Sequence, residues 1–150
     1  MAHTFTNLLT HMIFSTKDRM PFIEPELKPR LCAYLGGIVK ELKGKPYSID
    51  GTNDHVHMLV SLPPTLAIAD ALRIIKTNSS GCVHGLEARY RKFGWQIGYG
   101  AFSVSKSNVG AVVRYIQAQE EHHKTVTFKD EFIVYLKKHG IAYDERYIWE

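Results

Sequence analysis

Residues 45–64 read KPYSIDGTNDHVHMLVSLPP: two short strand-forming runs parted by Asp50-Gly51-Thr52-Asn53-Asp54 and closed by Pro63-Pro64. Turn chemistry of this kind between two such runs specifies a β-hairpin. Successive side chains on a strand face opposite ways. His55 and His57 therefore share one face of the second run, and Val56, Met58, Val60 and Leu62 share the other.

Upstream of the hairpin, residues 3–17 (HTFTNLLTHMIFSTK) are rich in β-branched and aromatic residues and end at the turn-like KDRMPF, which predicts a first strand. From Glu26, after Pro25, the apolar residues Leu27, Leu31, Tyr34, Leu35, Ile38, Val39 and Leu42 recur at helical spacing up to Gly44. Downstream, Thr65 is placed to cap a helix carrying Leu66, Ile68, Ala69, Leu72, Ile74 and Ile75. That helix either continues or kinks at Asn78-Ser79-Ser80-Gly81. Residues 95–105 (WQIGYGAFSVS) alternate as a fourth strand, and two helices follow, with Ser107 and Thr127 as caps and Gly140 as the last stop. The order βαββαβ plus additional C-terminal helices predicts an α+β fold: one antiparallel sheet of four to five strands, ferredoxin- or RRM-like. Both crossover helices then lie on one face, with the first and third strands in the middle.

A chain of 150 residues with 45% hydrophobic residues suits one domain over 1–150. Its longest apolar runs, such as Asn7 to Phe14, are broken by His or Thr, so the expectation is a cytoplasmic protein without a membrane span. Cys32 and Cys82 fall in apolar helical patterns and read as buried thiols with no disulfide. The net charge of +4 is unevenly spread: residues 73–114 carry Arg73, Lys76, Arg89, Arg91, Lys92, Lys106 and Arg114 against Glu87 alone. Such a basic window is a candidate phosphate-binding surface. Within it Arg73, Lys76 and the Asn78-Ser79-Ser80 run are candidate backbone contacts, and Tyr99 or Phe102 could stack on an unpaired base.

Two imidazoles on one strand face need a third donor to hold a cation. Leu59, the next residue on that face, cannot supply it, and Cys32 or Cys82 could do so only by folding back from a helix core. The helix VVRYIQAQEEHH offers Tyr115 and Gln119, four apart and hence stacked on one face, with Arg114 and Gln117 turned elsewhere. Two neutral imidazoles and an amide oxygen would leave a divalent ion its full charge and open positions for phosphate oxygens. Tyr115 would stand beside it, a poor nucleophile at its ordinary pKa of about 10 until its proton is drawn off. His122 and His123 are adjacent, so about 100° of helix rotation lets at most one face such a site.

The segments HMIFSTKDRMPF, GTNDHVHMLVSLP, WQIGYGAFSVS, VVRYIQAQEEHHK and HGIAYDERYIWE, in this order and spacing, resemble the single-tyrosine transposases of the smallest bacterial insertion sequences, members of the HUH endonuclease superfamily. The resemblance covers nearly the whole chain. It implies His55, His57 and Gln119 as ligands of Mg2+ or Mn2+, and Tyr115 as the nucleophile. It implies attack on single-stranded DNA with hairpin ends, a 5′-phosphotyrosine intermediate that stores the bond energy for rejoining, and a homodimer. Two other readings remain open on the residues: a non-cleaving single-stranded nucleic-acid-binding module, as a domesticated relative would be, and a zinc hydrolase of small phosphorylated substrates. The aromatic tail YDERYIWE suits either an interface or a strap that closes the fold.

Overall fold

The computed structural model describes residues 3–149. The hairpin forms where its turn chemistry places it: β2 (Lys45–Gly51) pairs antiparallel with β3 (His55–Leu62). Gly51 lies so close to the returning strand that a Cβ there would collide with the His55 carbonyl, so the tight reversal requires glycine. β1 (Leu8–Ser15) pairs antiparallel with β3 in a register that sets Ile13 opposite His57, and β4 (Gly100–Ser103) pairs with the other edge of β1. The sheet order is β2-β3-β1-β4, with the first and third strands central as the βαββαβ pattern predicts.

β4 is shorter than the alternation of residues 95–105 suggests. The Trp95 backbone pairs with the sheet through an isolated bridge to Thr16, outside the β4 ladder. The cause is Lys76, whose ammonium donates to the carbonyls of Gln96, Ile97 and Gly98. Three consecutive carbonyls converging on one cation cannot alternate as a strand ladder demands.

The crossover helices α1 (Lys28–Glu41) and α2 (Ile68–His84) share one face of the sheet. There Leu31, Leu35 and Val39 of α1 and Leu72 and Ile75 of α2 pack on Met12, Phe14, Val56, Met58 and Val60. α2 begins later than expected: Ala67 is its N-cap, and Thr65 lies in a turn closed by Leu66 N–H to Pro63 O. It runs unbroken through Asn78-Ser79-Ser80-Gly81. Ser79, buried there, donates to Lys76 O at 3.2 Å and accepts from Trp95 Nε1 at 3.0 Å, so its hydroxyl is satisfied without unwinding the helix. Both cysteines are free, but neither is fully buried; Cys82 is on the solvent side of α2, contrary to expectation.

The opposite face is covered by the chain after β4. α3 (Val109–Gln117) packs on β2 and β3, the short α4 (Gln119–His122) follows, and α5 (Phe128–Lys138) sets Phe128, Phe132 and Leu136 against Ile13 and Phe102. Thr127 caps α5 by accepting from Asp130 N–H at 3.2 Å, and Gly140 ends the segment at φ 66°. Asn108 rather than Ser107 precedes α3, because residues 106–108 form a 3-10 turn. The tail folds back as a strap. Tyr143, Ile148 and Trp149 pack on this second cluster, with the Trp149 ring under Arg19 and Lys129 at 5.5 and 5.1 Å. No helix among the described residues is long and apolar enough to cross a membrane.

Candidate metal and nucleophile site

The pleat of β3 sends His55 and His57 away from the aliphatic core and under the layer formed by α3, α4 and α5, where both are fully buried. Each imidazole is oriented by a partner at Nδ1. For His55 the partners are Asp54 Oδ1 at 2.7 Å and Thr52 Oγ1 at 2.9 Å. A carboxylate only accepts, so Nδ1 of His55 carries a hydrogen, and Nε2 is aimed into the site. Burial pushes the Asp54 carboxyl up, but its hydrogen bond and charge contact with His55 more than compensate and hold it below the ordinary range. For His57 the partner is His11 Nε2 at 2.8 Å, reached across the two central strands. Burial, against the pull of the neighbouring Glu131, lowers His57 to about 4, so the ring is neutral at physiological pH, as a ligand must be.

α3 ends at Gln117, and Ala118 leaves helical geometry at φ −96°, ψ 16°, a break that the helical spacing of 112–123 did not announce. The tightened turn keeps Tyr115 and Gln119 on the same side. The Tyr115 ring centroid is 5.7 Å from that of His57, and Gln119, fully buried, points Oε1 at His55 Nε2 from 3.1 Å. Its amide nitrogen donates to Tyr115 O at 3.3 Å, which ties the two positions together. Thus His55, His57, Tyr115 and Gln119 converge.

Sequence reasoning missed Glu131. Only 3% exposed, it lies on α5 with Oε1 2.9 Å from His57 Nε2, 3.1 Å from His123 Nε2 and 3.6 Å from His55 Nε2. Its other oxygen accepts the Tyr115 hydroxyl and is 3.2 Å from His122 Nε2. Burial pushes the carboxyl up, yet the hydrogen bonds from His123, His57 and Tyr115 hold it well below the usual carboxylate range. The signal was present: Phe128, Glu131, Phe132, Tyr135 and Leu136 form one apolar stripe of α5, and an acid inside such a stripe is an anomaly.

Both His122 and His123 reach Glu131, although adjacent helix residues diverge. α4 ends at His122, and His123 sits in the following turn, which swings its ring back. His123 meets acceptors at both nitrogens, Val126 O at 2.5 Å and Glu131 Oε1, so it carries two hydrogens and a positive charge. Burial opposes that charge, but Glu131 outweighs it and raises the pKa. Burial also raises Tyr115, and the Glu131 carboxylate adds to the effect, so the resting phenol is protonated.

The donors suit a small divalent cation. Ligand atoms of His55, His57 and Glu131 lie within 4.8 Å of one another. In an octahedral shell with bonds of about 2.1 Å, neighbouring ligand atoms stand roughly 3 Å apart. The separations of 2.9 Å from His57 to Glu131 and 3.1 Å from His55 to Gln119 match that spacing.

The basic candidates lie elsewhere. Arg73, Lys76 and Asn78 belong to α2, on the far side of the sheet from Tyr115. Arg73 and Asn78 are exposed. Lys76, by contrast, is half-buried over the Phe14 and Tyr99 rings with its hydrogens engaged by carbonyls, and burial lowers its pKa to about 8. It is a clamp on residues 96–98 before it is a phosphate contact. Arg89 is likewise engaged, by Glu24, Glu26 and Glu87 at 3.1, 3.0 and 2.7 Å. Phe102 is buried in the second core cluster and unavailable for stacking, whereas Tyr99 is 38% exposed.

Residues 4–119 match the family described as Transposase IS200 like. Over 129 residues the chain is 26% identical to the transposase for insertion sequence element IS200 of Salmonella typhimurium, covering 83% of this chain and 84% of that protein. The Salmonella typhi transposase of the same description matches to the same extent. Two solved structures share the fold. One is a transposase candidate from Deinococcus radiodurans, with TM-score 0.62 and 21% identity, covering 79% of this chain and 95% of that one. The other is a REP-associated tyrosine transposase bound to a REP hairpin, with TM-score 0.60 and 14% identity, covering 84% and 74%. The matched span holds the whole sheet, the histidine pair, Tyr115 and Gln119, and the chain belongs to the IS200-like family of transposases.

Proposed function

We propose that this transposase cleaves and rejoins single-stranded DNA at the hairpin-bearing ends of an insertion sequence, through a 5′-phosphotyrosine intermediate and with Mg2+ or Mn2+. The observation that carries the reading is the Tyr115 hydroxyl held beside two buried imidazoles whose Nε2 atoms face a common point with Gln119 Oε1. His55, His57 and Gln119 would hold the cation, which when bound supplies Lewis acidity to the scissile phosphate.

The chain's own groups account for the rest. Asp54 and His11 fix the orientation of the two imidazoles. Tyr115 attacks phosphorus through its phenolic oxygen, and its proton passes to the Glu131 carboxylate that already accepts it. A phosphorus–oxygen bond to tyrosine forms, the bond to the 3′-oxygen breaks, and that oxygen leaves as a hydroxyl after taking up a proton. Reversal by another 3′-hydroxyl restores the phenol and joins the strands without ATP. One tyrosine holds one cleaved end, so two ends call for two copies of the chain, a homodimer. Arg73 and Asn78, remote from Tyr115, are proposed as contacts to DNA backbone running over the other side of the protein. A DNA substrate places the work in the cytoplasm.

The test is a denaturing gel of labelled single-stranded end oligonucleotide with purified protein and Mn2+. A covalent adduct is expected with the parent and none with Tyr115→Phe. Equal cleavage by parent and variant would remove Tyr115 from the chemistry.

A further inference from the structure

The neutral donor set just described leaves out the group at its centre. Glu131 Oε1 faces the Nε2 atoms of His57, His123 and His55 at 2.9, 3.1 and 3.6 Å, while Gln119 Oε1 lies beside the last of these. A cation bonded to His57 at about 2.1 Å stands within bonding reach of an oxygen this close to the same nitrogen. A bare carboxylate is also the strongest donor for a hard dication among the groups present. Excluding it would require Glu131 to swing out of a pocket walled by Tyr115, His122 and His123, in which it is 3% exposed.

We propose that Glu131 is itself a ligand of the divalent cation, Oε1 joining His55, His57 and Gln119 while Oε2 holds the Tyr115 hydroxyl against the same ion. The inference rests on the metal-dependent reading above and adds to it. Two imidazoles with one carboxylate and open positions form a set suited to Mn2+ and related hard divalent ions. One side chain then couples the metal to the nucleophile: its two oxygens fix the distance between them. α5 lies outside residues 4–119, so this ligand comes from beyond the stretch that places the chain in its family.

The test is Mn2+ binding by the full-length protein, read from the free-ion electron paramagnetic resonance signal, for the parent, Glu131→Gln, Glu131→Asp and His57→Ala. The parent is expected to bind one Mn2+ per chain, and Glu131→Gln to weaken it about ten- to a hundredfold, with Glu131→Asp in between. His57→Ala serves as the reference for a lost ligand. On the parent alone, the infrared difference spectrum on adding Mn2+ should show a shifted carboxylate stretch, a readout that does not depend on any variant folding. Glu131→Gln binding Mn2+ as tightly as the parent, or no carboxylate shift in the parent, overturns the assignment while leaving the metal-dependent reading intact. A parent that binds no Mn2+ overturns both.

Discussion

His11 and His57 meet ring to ring across the two central strands, Nε2 to Nδ1 at 2.8 Å. The register makes this contact diagonal: Ile13 is directly opposite His57, and His11 lies two residues along the same face of β1. His11 can donate or accept, so it steadies the His57 ring whichever nitrogen carries the hydrogen. His11→Phe keeps a ring of similar breadth and removes the partner. It is expected to cost about 1–3 kcal/mol of stability and to weaken Mn2+ binding roughly tenfold or more. Thermal unfolding and a Mn2+ titration check the two effects separately; unchanged affinity in a folded variant would show that His11 does not orient the ligand.

Acid sensitivity follows from the same pair. Burial is the main reason that His11 is lowered to about 3 and His57 to about 4. Both rings therefore gain protons on unfolding once the pH drops below the ordinary histidine value of about 6.5. Their contribution is intact above that pH and is lost as the pH falls toward 4 and then 3. His123, raised by Glu131, acts in the opposite sense: its contribution is full below about 6.5 and fades as the pH rises through its folded-state value. Glu131, depressed by its hydrogen bonds, adds stability above about 4.3 that disappears at lower pH. With two lowered rings against one raised, the melting temperature measured with a chelator should climb between pH 4.5 and 6.5. His11→Phe should make that climb shallower.

Gly51→Ala addresses the hairpin. The added methyl would meet the His55 carbonyl and the Val56 Cα, the latter at 2.9 Å, so the strands must part at the position that aims His55. A loss of about 3 kcal/mol is expected from the overpacking, with weaker Mn2+ binding in the fraction that folds. A urea midpoint equal to that of the parent would mean the turn relaxes freely.

Thr127→Ala removes the cap of the helix that carries Glu131 one turn later. It should lower stability by about 1 kcal/mol. Hydrogen exchange should show the loosened amides at the start of α5 and not in α1, which has no side-chain cap to lose.

Lys76→Met takes away the charge that gathers the carbonyls of residues 96–98. The part-buried carbonyls of Gln96 and Gly98 lose a charged donor, which implies a loss on the order of 1–2 kcal/mol. Faster hydrogen exchange at residues 95–99, with β1 and β3 unaffected, is the expected pattern.

Much of this architecture is legible in the chain because periodicity is a local property. Alternation around Val56 separates the imidazoles from the core, Asp50-Gly51 marks the reversal, and Thr127 and Gly140 bracket α5 as their chemistry dictates. Spacing also puts Tyr115 and Gln119 on one side of their helix, and the structure brings them to the histidines despite the break at Ala118. What escapes is what depends on distant partners. β4 is cut short by an ammonium some 20 residues earlier in the chain. Glu131 looks misplaced in an apolar stripe until His57, 74 residues away, arrives beneath it. Cys82 reads as a core residue from its neighbours in sequence, whereas the orientation of α2 turns it to solvent.

Part of the cover over the histidines, Phe128 stacked on His55 and Glu131 against His57, comes from downstream of residue 119. A genomic copy of this gene interrupted just after residue 119 would still carry His55, His57, Tyr115 and Gln119 and the whole span that matches the family. It would nonetheless encode a sheet without the α5 cluster of Phe128, Phe132 and Leu136 on Ile13 and Phe102, and without the carboxylate beside His57. Censuses of intact mobile elements that score the signature residues alone would count such relics as living.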